Sequence, residues 1–252
     1  MMEDTRQKSS RPHTPPSDNT IKIFKLWRLA VTTRKDFLAM GSLLAALPQV
    51  AQAATAHPSK PAAREGNLTL KFDQHAFEDA LNKPAKHRQC FGAVRLDGGG
   101  VIGSMANSIL AYDDVLGEGN GSMYAIGVLY HSSAIVLAMN DDVWNGILVP
   151  YLKHNPDWKK EIPEAKAGGG NPYMKPSWVP GLIKLRGGAL FVCNNSIMAF
   201  AYGSANALSR PVQQIYAEIL KGIVPGAIVV PSGVMAINAC QEARFTYIQT
   251  SL

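Results

Sequence analysis

Three cysteines in 252 residues are too few for a disulfide scaffold, and an odd number leaves at least one thiol unpaired within the chain. No two of them (Cys90, Cys193, Cys240) stand at C-x-x-C spacing. Neither a thioredoxin-type motif nor a structural zinc site is therefore supported. No two histidines lie four apart as on a zinc-binding helix, and no G-x-S-x-G elbow is present. Charge is sparse as well: 17% of residues are Asp, Glu, Lys or Arg. No cluster of basic residues is interleaved with aromatics, which argues against nucleic acid as a partner. No internal repeat is visible.

What charge there is lies unevenly. Residues 1–53 hold eight Lys/Arg against four Asp/Glu, +4 of the total +6, and leave the remaining 199 residues at only +2. This segment reads as an address. A Ser-, Pro- and Thr-rich n-region precedes Arg34-Lys35-Asp36-Phe37-Leu38, an uncharged stretch Ala39 to Ala46, Pro48, and the small-x-small cleavage pattern Ala51-Gln52-Ala53. The apolar stretch is too short for a bilayer, which takes about 20 residues. The Thr-Arg-Lys-Asp-Phe-Leu segment resembles a twin-arginine export signal with Lys35 in place of the second arginine. The expectation is a periplasmic protein that meets the membrane only during export.

Residues 54–85 read as a flexible leader followed by a short amphipathic helix near 75–82, and residues 86–252 as one α/β domain. Apolar runs at 89–96, 123–130, 189–193, 227–230 and 245–248 predict five strands. Helical spacing is read at 102–116, 141–152, 177–185, 195–208, 211–220 and 234–243. Buried strands without alternation, separated by helices, predict a five-stranded, mainly parallel sheet in a three-layer, flavodoxin-like domain. Residues 153–176, with Asn155-Pro156, Gly168-Gly169-Gly170 and Asn171-Pro172, read as a long exposed excursion, which in a compact domain is usually functional or mobile.

The run Gly188-Ala-Leu-Phe-Val-Cys193-Asn-Asn-Ser196 places a thiol at the carboxyl end of a strand, beside a helix N-terminus. Parallel sheets bind ligands at that edge, and a helix dipole there favours a thiolate. His131 follows the second strand directly and so shares the edge with Cys193, with Tyr130 beside it. Asn194, Asn195 and the backbone N–H groups after them are candidates to hold an anionic ligand or the thiolate. Cys90 lies on the first strand and Cys193 ends the third, about 13 Å apart along parallel strands, too far for a disulfide. Cys240 is late in a returning helix, which makes Cys90 and Cys240 the candidate disulfide and Cys193 the free thiol.

Gly98-Gly99-Gly100-Val101-Ile102-Gly103 matches G-x-G-x-x-G, but the second strand ends in Tyr130-His131 rather than an acidic residue. A glycine-rich turn accounts for it better than a dinucleotide site. No cofactor and no metal are expected.

Cys193 with its strand, Leu129-Tyr130-His131, and Pro231-Ser-Gly-Val234 … Gln241-Glu242 … Phe245-Thr-Tyr-Ile248 together resemble the DsrE/DsrF-like family in its exported branch. The resemblance covers about residues 86–249. It implies an α/β domain that assembles into homo-oligomers and, in members tied to sulfur metabolism, relays sulfur as a persulfide on a cysteine, with Cys193 at the matching position. Donor and acceptor proteins would then be its partners. Cys240 stands where a small residue is usual and Arg244 where glycine is common. The competing reading is a non-enzymatic small-molecule-binding or oligomeric scaffold module in which Cys193 merely packs.

Overall fold

In the computed structural model, residues 68–250 are described, apart from Glu164 and Arg186. The segment 1–53 and the leader up to residue 67, and with them the export signal, lie outside the described residues. A first helix, α1 (Gln74–Asn82), is capped by the Asp73 carboxylate, which accepts from the Ala76 N–H. Next come β1 (His87–Ala93), a 3-10 turn Asp97–Gly99 and α2 (Gly100–Leu110), which runs into a π turn at Ala111–Val115. Beyond β2 (Met123–Leu129), a 3-10 segment Ser132–Ala138 leads to α3, built from Asp141–Val143, a π turn Trp144–Leu148 and Val149–Tyr151. The chain continues through α4 (Pro156–Glu161), α5 (Val179–Leu185), β3 (Ala189–Cys193), α6 (Asn194–Leu208) and α7 (Val212–Lys221). It ends with β4 (Ala227–Val230), α8 (Gly233–Glu242) and β5 (Thr246–Gln249).

The five strands form one sheet in the order β4-β3-β2-β1-β5, every neighbouring pair parallel. The central strands β2 and β3 are buried at every residue, as their unbroken apolar sequences require. From β1 to β4 the chain steps across the sheet in one direction. Right-handed crossovers then stack the connecting helices on one face, where Val101, Met105, Trp144, Ile197, Phe200 and Ile215 share a core. The step from β4 to β5 runs the other way and puts α8 on the opposite face, with α1, in a smaller core of Phe77, Leu81, Cys90, Phe191, Ala236 and Cys240. The result is a single three-layer α/β domain of flavodoxin-like arrangement.

Strand β1 begins at His87, two residues before its apolar run, because His87 N–H donates to Ser122 O and the β1–β2 register runs from His87↔Met123. Ahead of β2, the buried Asp113 carboxylate accepts from the Ser122 hydroxyl and from the N–H groups of Gly121 and Met123. Burial pushes its pKa up, but the Ser122 hydroxyl and the backbone bonds outweigh that and hold it below the usual carboxylate range. The excursion 153–176 is largely exposed but is anchored at a few buried residues. Asn171 is buried and donates to Val136 O and Met139 O, while its N–H donates to Asp141.

Because β3 sends its chain to one face (α6) and β4 sends its chain to the other (α8), a crevice opens at the carboxyl ends of these adjacent strands. That is the place where open α/β sheets bind ligands.

Candidate functional site

Cys193 stands at that crevice, paired in register with Val230 as the last residue of each strand. It is the N-cap residue of α6, with extended backbone (φ −68°, ψ 116°), and its thiol accepts no hydrogen bond from the helix. The helix is held on the sheet by Ile197, Phe200, Ala201, Ser204 and Ala205, buried at helical spacing. Opposite, Ser232 is the N-cap of α8 and Gly233 its first residue. A Cβ at Gly233 would lie 2.2 Å from Tyr130 Cβ and 3.4 Å from Cys193 Cβ, so only glycine lets the two helix starts and the end of β2 approach this closely. Two sets of free backbone N–H groups, from two helices, thus meet at one edge.

Between them is an open cavity of about 440 Å³, within the range of small-molecule sites. Tyr130, His131, Cys193 and Asn195 all line it. Cys193 is 5% exposed, whereas His131 and Asn195 are exposed at the rim. Asn194 is not brought to the cavity. It is buried, and its side-chain oxygen accepts from Tyr216 OH at 2.6 Å, which ties α6 to α7 instead. A helix turns about 100° per residue, so Asn194 and Asn195 were bound to face different ways.

His131 has φ 63° and ψ 156°, a region that is essentially glycine-only and costs of order 1–3 kcal/mol for any other residue. Its N–H donates to the Ser196 hydroxyl at 2.6 Å, which locks the strained residue to the first turn of α6. Tyr130 hydrogen-bonds Tyr247 on β5, whose phenol also donates to Gln249. Burial first, then the bond with Tyr130, pushes the Tyr247 pKa up.

Three further lining residues escape a reading by motif. Tyr151, Trp158 and Phe200 form a wall of mutually packed rings, Trp158 stacked on Phe200 at 5.2 Å and Tyr151 edge-on to both at 5.6 and 5.4 Å. Asn155, the N-cap of α4, positions two of them: its side chain accepts from Trp158 N–H at 3.1 Å and donates to Tyr151 OH at 2.6 Å. The Asn155-Pro156 pair that marked a loop in the sequence therefore carries an aromatic side chain to the site.

The chain matches no protein-family model and no curated protein. Its chemistry has to be read from its own residues.

Cys90 and Cys240 lie elsewhere. The register sets Cys90 level with Ile126 and Ala189, four residues short of Cys193 along the sheet. Both thiols are wholly buried. The expected bridge is not formed: both are free thiols in contact, and a hydrogen bond with Cys240, then burial, raises the Cys90 pKa far above its ordinary value.

The glycine loop has a packing role. Gly98 and Gly99 take left-handed conformations, and a Cβ on Gly99 would meet the Tyr173 ring at 2.8 Å and Trp178 at 3.3 Å. A Cβ on Gly100 would lie 3.3 Å from the Asp97 carboxylate, so the loop also carries an acidic group, a poor neighbour for a phosphate. Among the described residues, no group of three or more His, Cys, Asp or Glu could hold a metal ion, and no helix is long and apolar enough to cross a membrane.

Proposed function

We propose that this is an exported, DsrE-like sulfur carrier that holds sulfur as a persulfide on Cys193 and passes it from a donor to an acceptor. In this reading the protein is periplasmic, works without a cofactor and assembles as a homo-oligomer. What carries the reading is one juxtaposition: the Cys193 thiol, the strained His131 and two helix N-termini share a cavity at the crevice between β3 and β4. A persulfide is anionic near neutral pH. Backbone N–H groups with the positive ends of two helix dipoles suit it.

A carrier needs its sulfur sheltered yet reachable, and a thiol 5% exposed at the floor of an open cavity meets both conditions. His131 at the rim can take or return a proton during transfer. The test is intact-mass spectrometry with peptide mapping of the natively purified protein before and after incubation with polysulfide, which already carries sulfur at the sulfane level. An addition of about 32 Da, one sulfur atom, removable by reductant, is expected on Cys193 alone. If no such addition forms and an alkylating agent labels Cys90 or Cys240 first, the carrier reading is wrong and a scaffold role takes its place.

A further inference from the structure

The cavity around Cys193 is built for more than a bare sulfur atom. One side of it is made by the starts of α6 and α8, with Asn195, Ser196 and Ser232 as its polar groups. The other side is the ring wall of Tyr151, Trp158 and Phe200. Among the described residues, no Asp or Glu lines it. A volume of about 440 Å³ greatly exceeds what an inorganic sulfur anion fills. The Asn155 bonds hold Tyr151 and Trp158 in place at the cavity.

From this we infer that the sulfur donor is a small organic thiosulfonate or an equivalent molecule: a flat apolar or aromatic body carrying an anionic, sulfane-bearing end. The inference rests on the persulfide reading of Cys193. The body would stack on the Trp158–Phe200 wall, and the anionic end would lie against the N–H groups of the two helix starts, with its outer sulfur toward Cys193. The Cys193 thiol first loses its proton to solvent. The thiolate then attacks the outer sulfur of R–SO2–S⁻. A new S–S bond forms to Cys193 and the bond from the outer sulfur to the sulfonyl sulfur breaks, its electron pair leaving with the sulfinate R–SO2⁻. Two negative charges enter and two leave, so neither oxidant nor reductant is needed.

The experiment compares loading of Cys193 in the full protein by benzenethiosulfonate, methanethiosulfonate and thiosulfate at equal concentration, read by mass spectrometry. Benzenethiosulfonate should load at least about tenfold faster than thiosulfate, the size of one good aromatic contact. Trp158→Ala should lower the benzenethiosulfonate rate about tenfold more than it lowers the thiosulfate rate, and Trp158→Phe should restore most of the difference. Equal rates for the aromatic and inorganic donors, or an equal loss for both in Trp158→Ala, would overturn the inference and leave the persulfide reading standing. Failure of all three donors to load Cys193 would overturn the persulfide reading and the transfer step with it. Binding of the unreactive benzenesulfonate, weakened in Trp158→Ala, would then show that the fault lies in the thiol and not in the pocket.

Discussion

Cys193 and Cys90 sit on the same sheet four register positions apart, and almost everything about them differs. Cys90 is in the middle of β1, wholly buried against Cys240 on α8, in the smaller of the two cores. Cys193 is the last residue of β3, where the backbone leaves the sheet to start a helix and the cavity begins. Middle and end of a strand are different chemical places. In the middle, neighbours on both sides and a helix above leave a thiol no solvent and no use for charge. At the carboxyl end, helix N–H groups without intrahelical partners favour a negative group. Position along the strand, more than residue type, separates a packing cysteine from a candidate nucleophile.

The largest expected effect breaks the pair of environments apart. Cys193→Ser should abolish persulfide loading and the first-labelled thiol in native alkylation, while thermal unfolding changes by less than about 1 kcal/mol, because the site lies at the edge of the packing. Unchanged labelling in Cys193→Ser would place the reactive thiol elsewhere and dissolve the contrast.

Cys90→Ala should behave in the opposite way. It opens space at a fully buried point between β1 and α8 and should cost about 1–3 kcal/mol in denaturant unfolding, with Cys193 loading intact. A loss of loading in Cys90→Ala at temperatures where the variant stays folded would show that the two regions are coupled rather than independent.

A third measurement sharpens the same difference through pH. Contact with Cys240 and burial raise the Cys90 pKa above its unfolded value, so the folded protein holds that proton where the unfolded chain releases it. The contribution is complete below the unfolded thiol pKa of about 8.5 and falls as pH rises past it. Between pH 8.5 and 10 the wild type should lose about 1 kcal/mol per pH unit from this group, seen as a fall in unfolding midpoint that is shallower in Cys90→Ala. Identical alkaline slopes for the two proteins would remove the proposed cause.

Much of this layout was legible in the sequence, and the failures are physical ones. Ala189–Cys193 and Ala227–Val230 stand as strands with the predicted bounds, since both are short apolar runs that end at a polar helix start. The sheet edge shared by Tyr130, His131 and Cys193 follows from those ends alone. The aromatic wall does not, because Tyr151, Trp158 and Phe200 come from three helices and meet only in the fold. Nor does the direction of Asn194, which depends on where Tyr216 of α7 comes to rest. The two π turns, at Ala111–Val115 and Trp144–Leu148, have no marker in a period of 3.6, which predicts plain helix over both. Arg244 is a partial case: it follows α8 with φ 65°, the left-handed position where glycine is free of strain.

The smallest effect tests what the edge gives up for its chemistry. His131 holds a backbone conformation (φ 63°, ψ 156°) that glycine adopts freely and histidine does not. His131→Gly relieves that strain, but it also adds freedom to the unfolded chain, which offsets about 0.4–1 kcal/mol. The net expectation is a gain in stability of about 0–2 kcal/mol. The hydrogen bond from residue 131 N–H to Ser196 survives the change, so the geometry of the edge is kept and only the imidazole is lost. If the imidazole serves proton transfer at Cys193, the variant should be as stable as the wild type or more so, yet load and release sulfur more slowly near neutral pH. His131→Ala keeps most of the strain and should show the same slowing with no gain in stability. A His131→Gly protein that is less stable than the wild type would mean that the imidazole holds the loop together. The strain at this edge would then belong to the fold and not to the function.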